Sequence, residues 1–172
     1  KSFWNIDYSD TEALSDLVEK EGFDYLVPGC TDRSYKSCAV VSQGRFPGIE
    51  SPDIEHGMHN KEKFRAIAEK LNLPIPETQN HNSKSLDYPV IIKPVDSFSG
   101  RGITVIKNRN KKLFDSAIEL ARKNSATEEY LLEKFISGEL YSHSAFLKNK
   151  TAIKNFFVKE DSTVNKFVVD TS

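Results

Sequence analysis

The sequence Tyr88-Pro-Val-Ile-Ile-Lys-Pro94 decides the fold. Three consecutive β-branched residues in its middle predict a buried β-strand. A loop rich in serine and glycine follows, Ser97-Phe-Ser-Gly-Arg-Gly102, and then a second apolar stretch, Ile103-Thr-Val-Ile106. Two short apolar strands joined by a glycine-containing loop predict a β-hairpin with a long tip.

Lys93 lies where the first of these strands gives way to the loop. A lysine at the end of a buried strand is costly unless its ammonium group has an anionic partner, and from this position it can reach a phosphate. The loop has few bulky side chains, so its backbone N–H groups can donate to phosphate oxygens, and its glycines let it open and close. An exposed lysine beside an ordinary hairpin tip explains the segment equally well. The loop is not a Walker A loop, because no Gly-Lys-[Ser/Thr] follows and no helix begins there.

A second motif combines an apolar strand, Tyr130-Leu-Leu-Glu-Lys-Phe135, with a turn at Ser137-Gly138. Such a hinge can present backbone C=O and N–H groups to the edge of an adenine ring while Phe135 or Ile136 packs on the ring face. Glu139 would then lie near the ribose hydroxyls, where a carboxylate can accept two hydrogen bonds. Taken alone, a β-turn with flanking surface charges is the simpler explanation.

The third motif is Asn60-Lys61, where Asn60 is predicted to cap a helix. A lysine in the first turn opposes the helix dipole unless it points away towards an anion. In isolation a solvated Lys61 is the simpler explanation.

The other predicted elements alternate helices and strands. In order, they are a helix after a capping box at Ser9 and Glu12, a strand at 24–27, a helix from Thr31 or Asp32, a connection over 44–59, the helix from Asn60 to Asn72, a helix through 113–121, and three strands near 142–147, 151–158 and 166–169. A strand, a tight turn and a helix N-terminus predict a βα unit, which we interpret as part of a βαβ layer cut at its N-terminal side.

Composition excludes several classes of function. The 172 residues carry 24 Lys and Arg against 25 Asp and Glu, so no overall field favours nucleic acid or an anionic membrane. No apolar run approaches the ~18 residues of a membrane span, and no signal peptide follows Lys1. The two cysteines, Cys30 and Cys38, predict reduced thiols and a cytoplasmic location. His56 and His59 with Glu55 are better explained by loop polarity than by a metal, and Cys30 has no evident base for a nucleophilic role.

The ordered set of motifs is similar to the ATP-grasp family, which includes the carbamoyl-phosphate synthase large subunit, biotin carboxylase and D-alanine–D-alanine ligase. The segment Phe23-Asp-Tyr-Leu-Val-Pro-Gly29 with Thr31-Asp32 resembles the end of the pre-ATP-grasp domain, most closely in the carbamoyl-phosphate synthase branch. The resemblance implies ATP-binding roles for ten residues. These are Lys61 on the α-phosphate side; Lys93 at phosphate and adenine; Ser97, Ser99, Gly100 and Gly102 in the loop over the β- and γ-phosphates; Glu133, Lys134 and Ile136 around adenine, the last two through their backbones; and Glu139 at the ribose.

The resemblance also implies an α/β fold of ATP-grasp architecture in three parts. Residues 1–59 would be the tail of a pre-ATP-grasp βα layer, 60–137 the N-terminal and lid subdomain with the glycine-rich loop, and 138–172 the start of a C-terminal sheet that is incomplete. The family's magnesium-binding Glu and Glu-x-Asn have no match, so the metal ligands are expected beyond the end of this chain and the fragment is expected to be inactive alone. No catalytic residue is assigned; Lys154 and Lys159 are best explained as surface lysines.

The implied function of the intact protein is ATP-dependent joining of a small carboxylate to an amine or thiol through an acylphosphate, with ATP and Mg²⁺. A carbamoyl-phosphate synthase variant would use bicarbonate or carbamate as the acid. The alternatives are a non-catalytic nucleotide-binding module and an α/β domain that binds no ligand. Neither nucleic acid nor a membrane is an expected partner, and the oligomeric state is left open.

Overall fold

In the computed structural model, which describes residues 2–83, 85–161 and 167, five helices and five strands follow one another in a mixed α/β order. The chain divides into two compact units between Leu73 and Pro74. The part described contains no helix that is both long and apolar enough to cross a membrane.

The first unit is helical. It contains α1 (Thr11–Glu21), α2 (Asp32–Ser42), α3 (Pro52–His59) and α4 (Lys61–Lys70). Buried Cys38, Ala39 and Ile49 pack together with Leu26. The predicted helix start at Thr31 or Asp32 is confirmed, and Thr31 caps this helix by accepting a hydrogen bond from the Ser34 N–H. The predicted cap at Asn60 is also confirmed, since Asn60 accepts from the Lys63 N–H.

Three local predictions in this unit are wrong. Asp10, not Ser9, caps α1 by accepting from the Ala13 N–H, and Ser9 instead bonds to Asp7. Residues 24–27 form no strand, since a strand needs a hydrogen-bonded neighbour and the described part of the chain provides none there. The predicted connection over 44–59 contains α3, which begins at a proline in the first turn.

The helix α3 contains a glycine, Gly57, which is unusual in the interior of a helix. A Cβ atom added at Gly57 would lie 3.3 Å from Cδ1 of Ile67 on α4. The glycine therefore permits close packing of the two helices, although in the sequence it favours a loop.

The second unit is built around a three-stranded antiparallel sheet with the order β2-β1-β3. Its elements are β1 (Val90–Pro94), β2 (Thr104–Ile106), α5 (Lys111–Lys123), β3 (Tyr130–Lys134), β4 (Leu140–Lys148) and β5 (Thr151–Glu160). The predicted hairpin of β1 and β2 is confirmed, with Ile91 opposite Val105. β4 and β5 form a separate antiparallel pair, and the third strand predicted near 166–169 lies, except for Phe167, outside the described residues.

One face of the sheet is buried against α5. The cluster consists of Val90, Ile92, Ile106 and Leu132 from the strands and Phe114, Ala117 and Ala121 from the helix. Because side chains alternate along a strand, Ile91 and Lys93 lie on the opposite face. The fold thus separates an apolar face from a face that carries the predicted site.

Candidate functional site

Lys93 and Glu133 form an ion pair on the face of the sheet opposite α5. In the antiparallel register Ile91 lies opposite Glu133 and Lys93 opposite Leu131, so the two charged residues are diagonal neighbours. Lys93 Nζ lies 2.6 Å from Glu133 Oε2, and the side chains are 13% and 0% exposed. A fully buried carboxylate is costly without a partner. Lys93 is therefore not an exposed surface lysine, and the hinge residue Glu133 orients its ammonium group.

The loop between β1 and β2 is a tight structure with three left-handed residues. Ser99, Gly100 and Gly102 have φ angles of 54°, 67° and 72°. Ser97 Oγ donates to the Arg101 carbonyl at 3.3 Å, and the Arg101 N–H donates to the Phe98 carbonyl. These bonds close the loop on itself.

Both loop glycines are also in close contact with neighbours. A Cβ atom at Gly102 would lie 2.8 Å from Pro94 Cγ and 2.8 Å from Asn124 Cβ, at the end of α5. A Cβ atom at Gly100 would lie 2.8 Å from Phe167 Cβ and 3.1 Å from the Phe167 carbonyl oxygen. Packing and backbone conformation alone therefore require glycine at these positions, a reason that the sequence did not reveal.

The hinge after β3 is held by backbone bonds to two other segments. The Lys134 N–H donates to the Glu77 carbonyl at 2.9 Å, and the Phe135 N–H to the Pro89 carbonyl at 2.8 Å. Thr78 forms a bridge to Glu133, so residues 77–79 extend the sheet beyond β3. This edge segment was not predicted, because it has no apolar alternation.

The Lys134 side chain is directed away from Lys93 by its own partner. Its ammonium group donates to Asp87, and this hydrogen bond raises the pKa of Lys134 above its ordinary value. The proposed role of the Lys134 backbone at the nucleotide stays a prediction. The next side chain, Ile136, is 65% exposed.

Glu139 has protein donors on both carboxylate oxygens. Lys159 Nζ lies 2.5 Å from Oε1, and the Tyr141 hydroxyl donates to Oε2 at 2.7 Å. The hydrogen bond from Lys159, followed by that from Tyr141, lowers the pKa of Glu139, while the bond to Glu139 raises the pKa of Tyr141. Glu139 is therefore a held, ionised carboxylate. The sequence favoured a surface role for Lys159 and indicated none for Tyr141, because their contacts with Glu139 depend on the pairing of β4 and β5.

The ten predicted residues are divided between the two units. Lys61 is the first residue of α4 in the first unit, whereas the other nine lie in the second unit. Within the second unit, Lys93 contacts Glu133 directly, and Lys134 follows Glu133 on β3. The ATP-binding roles of all ten residues remain predictions.

Comparison with known proteins identifies the class of domain that this α/β fold represents. Residues 58–166, more than half of the chain, match the family model described as an ATP-grasp domain. The chain belongs to the ATP-grasp family, as predicted.

Relatives and a solved structure extend this finding. The chain is 28% identical over 144 residues to formate-dependent phosphoribosylglycinamide formyltransferase of Histophilus somni, covering 77% of this chain and 36% of the relative. It is 26% identical over 144 residues to the carbamoyl phosphate synthase arginine-specific large chain of Bacillus subtilis, covering 74% and 14%. The crystal structure of L-amino acid ligase from Bacillus licheniformis matches with a TM-score of 0.64 and 20% identity, over 92% of this chain and 39% of that one. The ATP-grasp fold is thereby confirmed, and the chain spans about a third of the length of the formyltransferase, 36%.

Proposed function

We propose that this chain holds part of the ATP site of an ATP-dependent ligase that joins a small carboxylate to an amine or a thiol. The observation that carries the proposal is the buried Lys93–Glu133 pair, from which the chain runs directly into the glycine loop. An ammonium group has three donors, so Lys93 can keep one bond to Glu133 and offer the others to phosphate oxygens. Membership of the family supports this use of the residues.

The reaction would proceed in two steps. ATP phosphorylates the carboxylate, which gives an acylphosphate and ADP, and the amine or thiol then attacks the acyl carbon and displaces phosphate. Lys93 and the loop N–H groups would bind the phosphates and offset their charge, so the contribution of this part is positioning and electrostatic stabilisation. The identity of the acid stays open between a general carboxylate and the bicarbonate or carbamate of a synthase-like enzyme.

The hinge would recognise adenine through its backbone. The Lys134 and Phe135 N–H groups are already used by Glu77 and Pro89. The Ile136 N–H has no acceptor among the described residues, so it is the group available to a ring nitrogen of adenine. Glu139 would accept from the ribose hydroxyls with the lone pairs that Lys159 and Tyr141 leave over.

Magnesium receives no ligand in this proposal. Within residues 2–83, 85–161 and 167, no group of three or more His, Cys, Asp or Glu side chains is placed to hold a metal ion.

Nucleotide titration with melting as the readout tests the proposal. Mg-ATP and ADP should raise the melting temperature of the chain, because a ligand at 100 times its Kd stabilises the folded state by ~2.7 kcal/mol. GTP should not raise it, since the proposed hinge recognises adenine. Lys93→Ala should abolish the shift. Lys107→Ala, which removes an exposed lysine just after β2, is the matched control and should preserve it.

The intact protein separates the two functional alternatives. Magnesium-dependent ATP turnover would exclude a non-catalytic nucleotide-binding module. The proposal would be refuted if adenine nucleotides changed the melting of neither the chain nor the intact protein.

A further inference from the structure

The first unit contains a cavity of about 570 Å³ whose lining includes none of the ten predicted ATP-binding residues. Its volume lies within the roughly 300–1,000 Å³ of small-molecule sites. All of its lining residues belong to this unit. They are Gly29, Cys30, Thr31, Asp32, Tyr35, Glu50, Ile54, Glu55, Met58 and His59.

The walls of the cavity are fixed by local hydrogen bonds. On one side, Thr31 Oγ1 caps α2 by accepting from the Ser34 N–H at 3.2 Å, and Ser34 Oγ lies 2.9 Å from the Gly29 carbonyl oxygen. On the other side stands α3, which starts at Pro52. The loop and the helix therefore present a preformed site.

The lining carries negative charge. Three carboxylates, Asp32, Glu50 and Glu55, contribute to it, and none of the described lining residues is Lys or Arg. Glu55 is only 5% exposed and is held by His59, whose Nδ1 lies 3.0 Å from Glu55 Oε1. The Tyr35 hydroxyl donates to Glu50. Asp32, whose Oδ1 lies 3.8 Å from His59 Nε2, and Glu50 are both exposed, so they place negative charge at the mouth.

The remaining wall is apolar. Ile54 and Met58 lie four residues apart on α3 and therefore share one face of the helix. They are 54% and 53% exposed, which leaves two large apolar side chains at the cavity surface. The Tyr35 ring adds a third apolar surface, which can also attract a cation.

We propose that this cavity binds a small primary amine whose ammonium group faces Asp32 and Glu50 and whose apolar body packs on Ile54 and Met58. A metal ion fits less well, because Ile54 has no ligand atom, Met58 has only a soft thioether, and the described residues contain no group of three or more His, Cys, Asp or Glu placed to hold a metal. An anion is disfavoured by the carboxylates.

Three probes of the same shape test the proposal with the full chain: 2-phenylethylamine, 2-phenylethanol and 3-phenylpropionate. Binding is followed by amide chemical shifts in two-dimensional NMR. The amine should shift the amides of residues 29–32 and of α3. The alcohol should bind about tenfold more weakly, because it lacks attraction to two exposed carboxylates. The carboxylate should not bind.

Paired variants connect the effect to the cavity. The double variant Asp32→Asn with Glu50→Gln should remove the preference for the amine over the alcohol, and Ile54→Ala should weaken both. Asp53→Asn is the matched control, because Asp53 also lies in the first turn of a helix but does not line the cavity. Equal affinity for amine and alcohol, stronger binding of the carboxylate, shifts confined to other residues or no binding of any probe would each overturn the proposal. The NMR spectrum of every variant also reports whether it is folded.

Discussion

The Lys93–Glu133 pair makes a quantitative prediction about stability. Lys93→Met keeps most of the side-chain volume but leaves the fully buried Glu133 carboxylate without this ammonium partner. Removing one member of a buried ion pair costs about 3–5 kcal/mol. The free energy of opening of the β1–β3 sheet should fall by this amount, which speeds amide exchange in β1 by roughly 150- to 5,000-fold.

Hydrogen exchange followed by mass spectrometry measures this change on the peptide that contains β1. Lys134→Met is the matched control, because Lys134 is on the same sheet but its pair with Asp87 is 42% and 56% exposed. It should change exchange little, since exposed pairs contribute little. A double variant with Lys93→Met and Glu133→Leu should recover most of the loss, because an apolar pair can replace a buried ion pair. The reasoning is refuted if Lys93→Met accelerates exchange no more than Lys134→Met does.

Two further predictions concern Gly102 in the loop and the Glu139 carboxylate. Gly102→Ala should destabilise the second unit by about 1–3 kcal/mol through overpacking. Gly22 is the control, because it has a similar φ of 64° but open space around it, so Gly22→Ala should destabilise the first unit less. Equal losses of stability, measured by hydrogen exchange, would contradict the packing argument. The lowered pKa of Glu139 means that its stabilisation is present above the ordinary value of 4.5 and is lost as pH falls through the folded value. Lys159→Met should raise this pKa in a carbon NMR titration, and an unchanged pKa would show that Lys159 is not its main cause.

The sequence predicted elements best where one strong local pattern decided them. The β-branched run of β1, the apolar periodicity of α5 and the cap at Asn60 each depend on neighbours within a few residues. The helix α3 was missed because Gly57 and the nearby proline and histidines favour a loop, whereas in the structure Gly57 packs close to Ile67 of α4.

The sequence indicated candidate site residues but not which of them are in contact. The motifs indicated Lys93 and Glu133 separately. Their contact depends on the register of two strands that are distant in the chain, and a shift of one residue would turn Glu133 to the other face. The same limit applies to Glu139, whose partner Lys159 comes from the far end of β5.

The ion pair on the sheet has a consequence for the entropy of binding. A lysine side chain loses up to about 2 kcal/mol of rotamer freedom when it is fixed. In this chain Glu133 holds the Lys93 ammonium at 2.6 Å, so the side chain has already lost this rotamer entropy on folding, before any anion binds. A phosphate group bound to Lys93, as proposed, would meet an oriented donor, and more of the interaction energy would appear as affinity.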